Sequence, residues 1–170
     1  MQHQVLYLFI GVPGAGKTTT AEIIAEATGA VHLWADAERH KLFINPTHSH
    51  EESELLYKKL NDETERLLSA GKSVVFDTNF NFYADRQKLR DIANQYGADL
   101  KIIWLTTPIE ISKQRSIGVH YTRNGYSNQM TNEQFKQIVA KLEPPLESED
   151  AVHIDGTEIK KEDVLRQLGL

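Results

Sequence analysis

The chain has 170 residues, which is the usual length of a single domain. Its net charge is −5 and 40% of its residues are apolar, values that exclude a disordered chain and disfavour binding along extended duplex nucleic acid. It contains no cysteine, which excludes disulfides, thiolate metal sites and cysteine nucleophiles. The first apolar run is too short for a signal sequence or a membrane span, so we expect a cytoplasmic protein without membrane contact.

Strand and helix patterns alternate along the chain. Residues 5–10 form an unbroken run of β-forming apolar residues, which predicts a strand buried on both faces of a sheet. A helix is predicted over 18–28, after a glycine-rich loop, and ends at Gly29. The next elements are predicted as a strand at 31–34, a short helix from 36 that stops before Asn45, a helix at 51–70, a strand at 73–76, a helix at 83–96, a strand at 100–105, helices at 108–116 and 131–142, a strand at 152–154 and a helix at 162–168.

This order predicts an α/β fold, in which helices cover both faces of a mostly parallel five-stranded sheet. We expect one domain over residues 1–170, since no segment has the composition of a linker. The buried stripe of the long helix is predicted to consist of Leu56, Leu60, Leu67 and Leu68. Residues 117–130 are polar and contain two glycines. A lid over a bound nucleotide is therefore predicted at about 115–130, although an ordinary surface loop has the same composition.

Residues 11–18 match the phosphate-binding pattern G-x-x-x-x-G-K-[ST] at every fixed position. The glycines allow several backbone N–H groups to turn toward one anion, and the following helix presents its positive end to the same phosphates. In this pattern the lysine contacts the β- and γ-phosphates and the Ser/Thr hydroxyl binds Mg²⁺, roles that fall on Lys17 and Thr18. The predicted ATP-binding residues of this segment are Gly11, Pro13, Gly14, Ala15, Gly16, Lys17, Thr18 and Thr19.

Charged residues elsewhere complete the predicted site. Asp77 ends the third predicted strand, where ligands gather in open α/β sheets, and is the candidate partner of Thr18 at the metal. Asp36 is a candidate base for an acceptor hydroxyl, although an aspartate at a helix start is also an ordinary N-cap. Arg115 and Arg123 are candidates for contacting the nucleotide and neutralising the transferred phosphoryl group.

Taken together, several segments resemble the small P-loop kinases: residues 11–18, the D-x-x-R run of Asp36 and Arg39, the D-T-N run that starts at Asp77, and Arg86 and Arg115. This group includes the kinase domain of phage polynucleotide 5′-hydroxyl kinase, the zeta toxins and the chloramphenicol phosphotransferases. The resemblance implies the P-loop nucleoside triphosphate hydrolase/kinase fold. It also implies that Asp36 is a general base and that Arg39, Asn79 and Arg86 contact the substrate.

The family lid commonly carries two arginines four residues apart. Here the fourth residue after Arg115 is Val119, so the second lid residue is assigned to Arg123, with His120 as the alternative. The chain is therefore predicted to transfer the γ-phosphoryl group of Mg-ATP to a hydroxyl acceptor, either a small molecule or a nucleic acid 5′-hydroxyl end. Two alternatives remain open: an ATP-dependent switch or ATPase that acts through a protein partner, and a toxin-type kinase of a nucleotide sugar. The sequence carries no signal for the oligomeric state.

Overall fold

The computed structural model describes residues 3–121 and 127–170, and the side chains of all of these except 119–121 and 127–129. Strands and helices alternate in the predicted order. In chain order the elements are β1 (Val5–Ile10), α1 (Lys17–Thr28), β2 (Val31–Trp34), α2 (Ala35–Leu42), α3 (His50–Ser69), β3 (Val74–Asp77), α4 (Tyr83–Gln95), β4 (Asp99–Leu105), α5 (Ile109–Ser116), β5 (Gly118–Tyr121), β6 (Ser127–Met130), α6 (Asn132–Lys141), β7 (Val152–Ile154) and α7 (Lys161–Leu168).

Five strands form one parallel sheet in the order β2-β3-β1-β4-β7. This confirms the predicted three-layer α/β class and the five-stranded parallel sheet. The central strand is β1, in which Leu6 pairs with Val74 of β3 on one side and with Leu100 of β4 on the other. Because all five strands run in the same direction, the loops that follow them meet at one edge of the sheet.

Both faces of the sheet are covered by helices, which explains why β1 is apolar without alternation. Leu6, Leu8 and Ile10 face a core that contains the buried sides of α3 and α4. Tyr7 and Phe9 face a second core, to which α1, α6 and α7 contribute. The predicted stripe of α3 is confirmed, since its four leucines are all buried.

The main difference from the prediction lies between α5 and α6. There, β5 and β6 form an antiparallel pair, in which Gly118 is opposite Met130. Each strand has only four residues and no repeating apolar pattern, so periodicity could not reveal them. Within the described part of the chain, the helices are all too short or too polar to cross a lipid bilayer.

Candidate active site

The phosphate-loop segment, residues 11–18, connects β1 to α1, as its pattern predicted. Gly14 and Gly16 have φ angles of 77° and 107°, in the left-handed region that favours glycine. A Cβ atom at Gly14 would also overlap the backbone oxygen of Ser112. The N-cap of α1 is Gly16, which offers no side-chain acceptor to the first N–H groups of the helix. This is the arrangement in which a helix N-terminus binds a phosphate group.

The side chain of Lys17 curls back over the phosphate loop. Its Nζ atom donates hydrogen bonds to the carbonyl oxygens of Gly11 at 2.9 Å and Val12 at 2.8 Å. Burial lowers the pKa of Lys17 to about 8, against the opposing attraction of Asp77. An ammonium group has three N–H donors, so two of them hold the loop and one is left for an oxygen of a phosphate.

Thr18, Asp77 and His32 form a line of polar contacts beside the phosphate loop. The Thr18 hydroxyl donates to Asp77 Oδ1 at 3.4 Å, and the other carboxylate oxygen lies 2.9 Å from His32 Nε2. Asp77 is only 3% exposed at the end of β3, and His32 lies on the neighbouring strand β2. A hydroxyl and a carboxylate are the hard oxygen donors that Mg²⁺ prefers when substrate phosphates and water complete its shell. These two side chains therefore fit the predicted metal.

Asn81 fastens the start of the phosphate loop to the segment that follows β3. Its Oδ1 atom accepts a hydrogen bond from Gly11 N at 3.0 Å, and its Nδ2 atom donates to Gly11 O at 3.1 Å. The Phe80 N–H group adds a bond to Phe9 O at 2.8 Å, so this segment continues alongside the end of β1. All polar groups of the Gly11 backbone are thus satisfied by one buried amide.

Arg115 and Thr107 join the phosphate loop to the loop between β7 and α7. The Arg115 guanidinium donates to the carbonyl oxygens of Gly14 at 3.2 Å, Gly156 at 2.9 Å and Thr157 at 2.8 Å. The buried Thr107 hydroxyl donates to Ala15 O at 2.7 Å and accepts from Gly156 N at 2.8 Å. Both connections fix the curvature of the phosphate loop from its outer side.

A cavity of about 710 Å³ opens at the carboxyl edge of the sheet. The predicted site residues Lys17, Thr18, Asp36, Asp77 and Arg115 all line it. Asp36 lies in the first turn of α2, and its Oδ1 atom is 3.8 Å from His40 Nε2. The other lining residues are Pro13, Gly14, Gly16, Thr19, Trp34, Ala35, Thr78, Asn79, Ser116, Met130, Gly156, Thr157 and Ile159. The phosphate loop and the Asp36 carboxylate therefore share one cavity.

Two arginines that the resemblance assigned to the substrate point elsewhere. Arg39 is 7% exposed and pairs with Glu52 of α3 at 2.6 Å. Arg86 is fully buried and pairs with Glu149 at 2.7 Å. Neither arginine lines the cavity. Each forms a buried ion pair with a carboxylate of another segment instead. Arg123 and the side chain of His120 lie outside what the structure describes, so their predicted lid roles stay predictions.

Sequence reasoning missed His32, Asn81 and Thr107. His32 is a polar residue in an otherwise apolar four-residue strand, and this was the available signal for a partner of Asp77. Asn81 lies two residues beyond Asn79, which the resemblance had favoured, and Asn79 lines the cavity instead. Thr107 is the second residue after β4, at the edge where the loops meet. No local pattern shows which of these polar residues faces the phosphate loop, because that depends on strand order.

Fold and site together define a P-loop protein with a nucleotide-binding, kinase-type architecture. The match to a known family is more specific. A model of the family described as "AAA domain" matches residues 6–145, most of the chain, and the chain belongs to this family. No curated protein has a sequence that matches this chain.

Solved structures with the same fold are distant in sequence. A candidate kinase from Chloroflexus aurantiacus is 16% identical, with a TM-score of 0.75 over 99% of this chain and 98% of the other. The APS kinase CysC of Mycobacterium tuberculosis, in complex with AMPPNP and APS, is 18% identical, with a TM-score of 0.69 over the whole of both chains. A chain of the Pnkp1/Rnl/Hen1 RNA repair complex is 20% identical, with a TM-score of 0.69 over 84% of this chain and 45% of the other. These likenesses establish the shared fold.

Proposed function

We propose that this protein is an ATP-dependent phosphotransferase that moves the γ-phosphoryl group of Mg-ATP to a hydroxyl group. The observation that carries the proposal is the shared cavity, which is lined both by the phosphate loop after β1 and by the Asp36 carboxylate after β2, a strand that β3 separates from β1. Family membership and the structural likeness to an APS kinase bound to an ATP analogue also support a kinase-type function.

The nucleotide end of the cavity is formed by the phosphate loop and two cations. The loop amides and the ammonium group of Lys17 would hold the β- and γ-phosphates. Arg115 already contacts the backbone of Gly14 and Gly156, so a small movement of its guanidinium brings positive charge to the transferred group. The segment at about 115–130 borders the cavity through Arg115, Ser116 and Met130, and we propose that it is the lid.

Thr18 and Asp77 would hold Mg²⁺, Thr18 through its hydroxyl and Asp77 directly or through water. Bound there, Mg²⁺ supplies positive charge that neutralises the phosphate oxygens during transfer. The hydrogen bond between His32 and Asp77 keeps the carboxylate in one orientation, as partners of metal-binding carboxylates commonly do.

The transfer itself requires little covalent chemistry from the protein. The acceptor oxygen forms a bond to the γ-phosphorus, and the bond between that phosphorus and the β–γ bridging oxygen breaks. ADP leaves with the electron pair, and the hydroxyl proton passes to the Asp36 carboxylate, which orients the acceptor oxygen beforehand. Phosphoryl transfer then depends on positioning and charge, which the two ends of the cavity provide.

Replacing Asp36 with Asn tests the proposal. The variant should bind ATP as wild type does, yet transfer the labelled γ-phosphate to a hydroxyl acceptor about 10²–10⁴-fold more slowly, because it lacks the base. Asp91→Asn, an exposed change on α4, is the matched control. Lys17→Ala should abolish transfer while the protein stays folded.

If Asp36→Asn transfers phosphate at the same rate as Asp91→Asn, Asp36 is not the base and serves only at the start of its helix. Slow ATP hydrolysis that no hydroxyl compound alters would instead favour the ATP-dependent switch.

A further inference from the structure

The two ends of the cavity differ in charge. We call Trp34, Asp36, Thr78 and Asn79 the acceptor end. Among the described residues that line the cavity, the cations are Lys17 and Arg115, and both donate hydrogen bonds to backbone carbonyl oxygens of the phosphate loop. Of the described side chains at the acceptor end, the charged one is the carboxylate of Asp36.

Arg39, the nearest cation in sequence to Asp36, is fully engaged by α3. Its Nη1 atom donates to Glu52 Oε1 at 2.6 Å, and its Nη2 atom donates to Ser53 Oγ at 3.2 Å. Glu52 also accepts hydrogen bonds from Thr47 N at 2.7 Å and from Thr47 Oγ1 at 3.0 Å. If Arg39 turned toward the cavity, the Glu52 carboxylate would stay buried without its cation, which is strongly unfavourable.

Arg86 is held still more tightly. Its guanidinium donates two bonds to the Glu149 carboxylate, at 2.7 and 3.0 Å, and another to Phe80 O at 2.9 Å. The side chain is completely inside the protein and contacts segments behind the sheet edge rather than the cavity. Both arginines that the resemblance assigned to the substrate are thus paired with buried carboxylates of the fold.

Resting on the proposed phosphotransferase activity, we infer that the acceptor is an uncharged hydroxyl compound: a sugar, a polyol or an unphosphorylated nucleoside. The Trp34 side chain offers an apolar aromatic surface to a ring, and Thr78 and Asn79 offer neutral hydrogen-bonding groups. Thr78 Oγ1 is itself fixed by Tyr57 OH at 2.7 Å. A phosphate group on the acceptor would be brought near the Asp36 carboxylate, and like charges brought together in this way oppose binding.

Matched acceptors test the inference. Uridine and uridine 3′-monophosphate both have a 5′-hydroxyl group, and glucose and glucose 1-phosphate both have a 6-hydroxyl group. With labelled ATP, the uncharged member of a pair should have a kcat/KM about tenfold or more above its phosphorylated partner. A 5′-hydroxyl oligonucleotide should be a poorer acceptor than the free nucleoside.

A preference for the phosphorylated members or for the oligonucleotide would overturn the inference and leave the phosphotransferase proposal standing. If every acceptor stays unlabelled and ATP turnover does not exceed that of Lys17→Ala, the phosphotransferase proposal fails and the inference fails with it.

Substitutions of Arg39 and Glu52 provide a second test. For each variant, kcat/KM of the uncharged acceptor is compared with that of its phosphorylated partner. Glu52→Gln removes the charge that holds Arg39, so the preference for uncharged acceptors should decrease. In Arg39→Gln/Glu52→Gln the preference should equal that of wild type, because Arg39 contacts no acceptor. Glu51→Gln, an exposed neighbour, is the matched control. If kcat/KM for the phosphorylated acceptors alone falls about tenfold in the double variant, Arg39 binds their phosphate group. That result would overturn the inference.

Discussion

Glu52 illustrates how one side chain organises the approach to the candidate active site. It accepts bonds from Arg39 of α2, from the side chain and backbone of Thr47, and from His48 N at 3.2 Å. Ser49 caps α3 by accepting from the Glu52 N–H group at 3.2 Å. The connection between α2 and α3 is thereby fixed, and with it the helix that carries Asp36.

This arrangement predicts a dependence of stability on acid pH. Burial opposes ionisation of Glu52, but the bonds from Thr47, Arg39 and His48 outweigh it and lower the pKa from 4.5 to about 2. Since the folded pKa lies below the unfolded one, the contribution of Glu52 to stability is complete above pH 4.5 and is lost as the pH falls toward 2. The melting temperatures of wild type and Glu52→Gln should therefore differ most above pH 4.5 and converge below it. A difference that is constant across this range would contradict the assignment.

At the scale of elements, the site depends on contacts between loops that follow different strands. The loop after β3 holds the loop after β1 through Asn81 and Gly11, and the loops after β4 and β7 hold it through Thr107 and Gly156. No residue larger than glycine fits at position 156, because its Cβ atom would overlap Ala15 O. The phosphate loop is thus shaped from both sides before it binds an anion.

Asn81→Ala tests this preorganisation. The change leaves the N–H group of Gly11 buried without a partner and leaves its C=O group with the bond from Lys17 alone, which should cost about 2 kcal/mol and lower the melting temperature by roughly 4–8 °C. Because the loop loses its fixed shape, the Kd for ATP measured by calorimetry should rise by about tenfold. Asn94→Ala, an exposed change on α4, should alter neither quantity. An unchanged Kd in Asn81→Ala would mean that Asn81 stabilises the fold without shaping the nucleotide site.

At the scale of the whole molecule, Arg86 connects α4 to the segment that follows α6. It reaches Glu143 O at 3.2 Å as well as the Glu149 carboxylate, and Glu143 N returns a bond to Asn81 O at 2.8 Å. The end of α6 is tied in this way to the segment that holds Gly11. Burial opposes ionisation of Glu149, but the bonds from Arg86 and from Leu146 N outweigh it and lower the pKa.

Removing this connection should weaken the entire fold. Arg86→Met leaves the Glu149 carboxylate buried without a cation, at a cost of about 3 kcal/mol, and should lower the melting temperature by roughly 6–12 °C. Lys88→Met, an exposed change two residues away on α4, is the control. The double variant Arg86→Met/Glu149→Met should recover part of the loss, since no uncompensated charge remains. If residues 1–170 form the one domain that we propose, each variant should unfold in a single transition; two transitions would contradict that proposal.

The sequence alone determined the elements other than β5 and β6, the parallel sheet and the phosphate loop, because these follow from local composition, from glycine at set spacings and from apolar runs. It also identified Lys17, Thr18, Asp36, Asp77 and Arg115 as candidates, and all five line one cavity in the structure. Residues next to strand ends are predictable in this way, since parallel strands bring their carboxyl ends to one edge.

Only the tertiary structure decided what the arginines contact. Arg39 and Arg86 follow strands in the same way as the cavity residues, yet their partners lie 13 and 63 residues further along the chain. A buried guanidinium needs a carboxylate partner, because the ion pair must compensate the hydration that both charges lose. Which carboxylate becomes that partner depends on how the helices pack. No local spacing contains that information. The sequence therefore predicted the phosphate-binding loop, whereas packing decided that Arg39 and Arg86 pair within the fold and that Lys17 and Arg115, among the described residues, line the cavity.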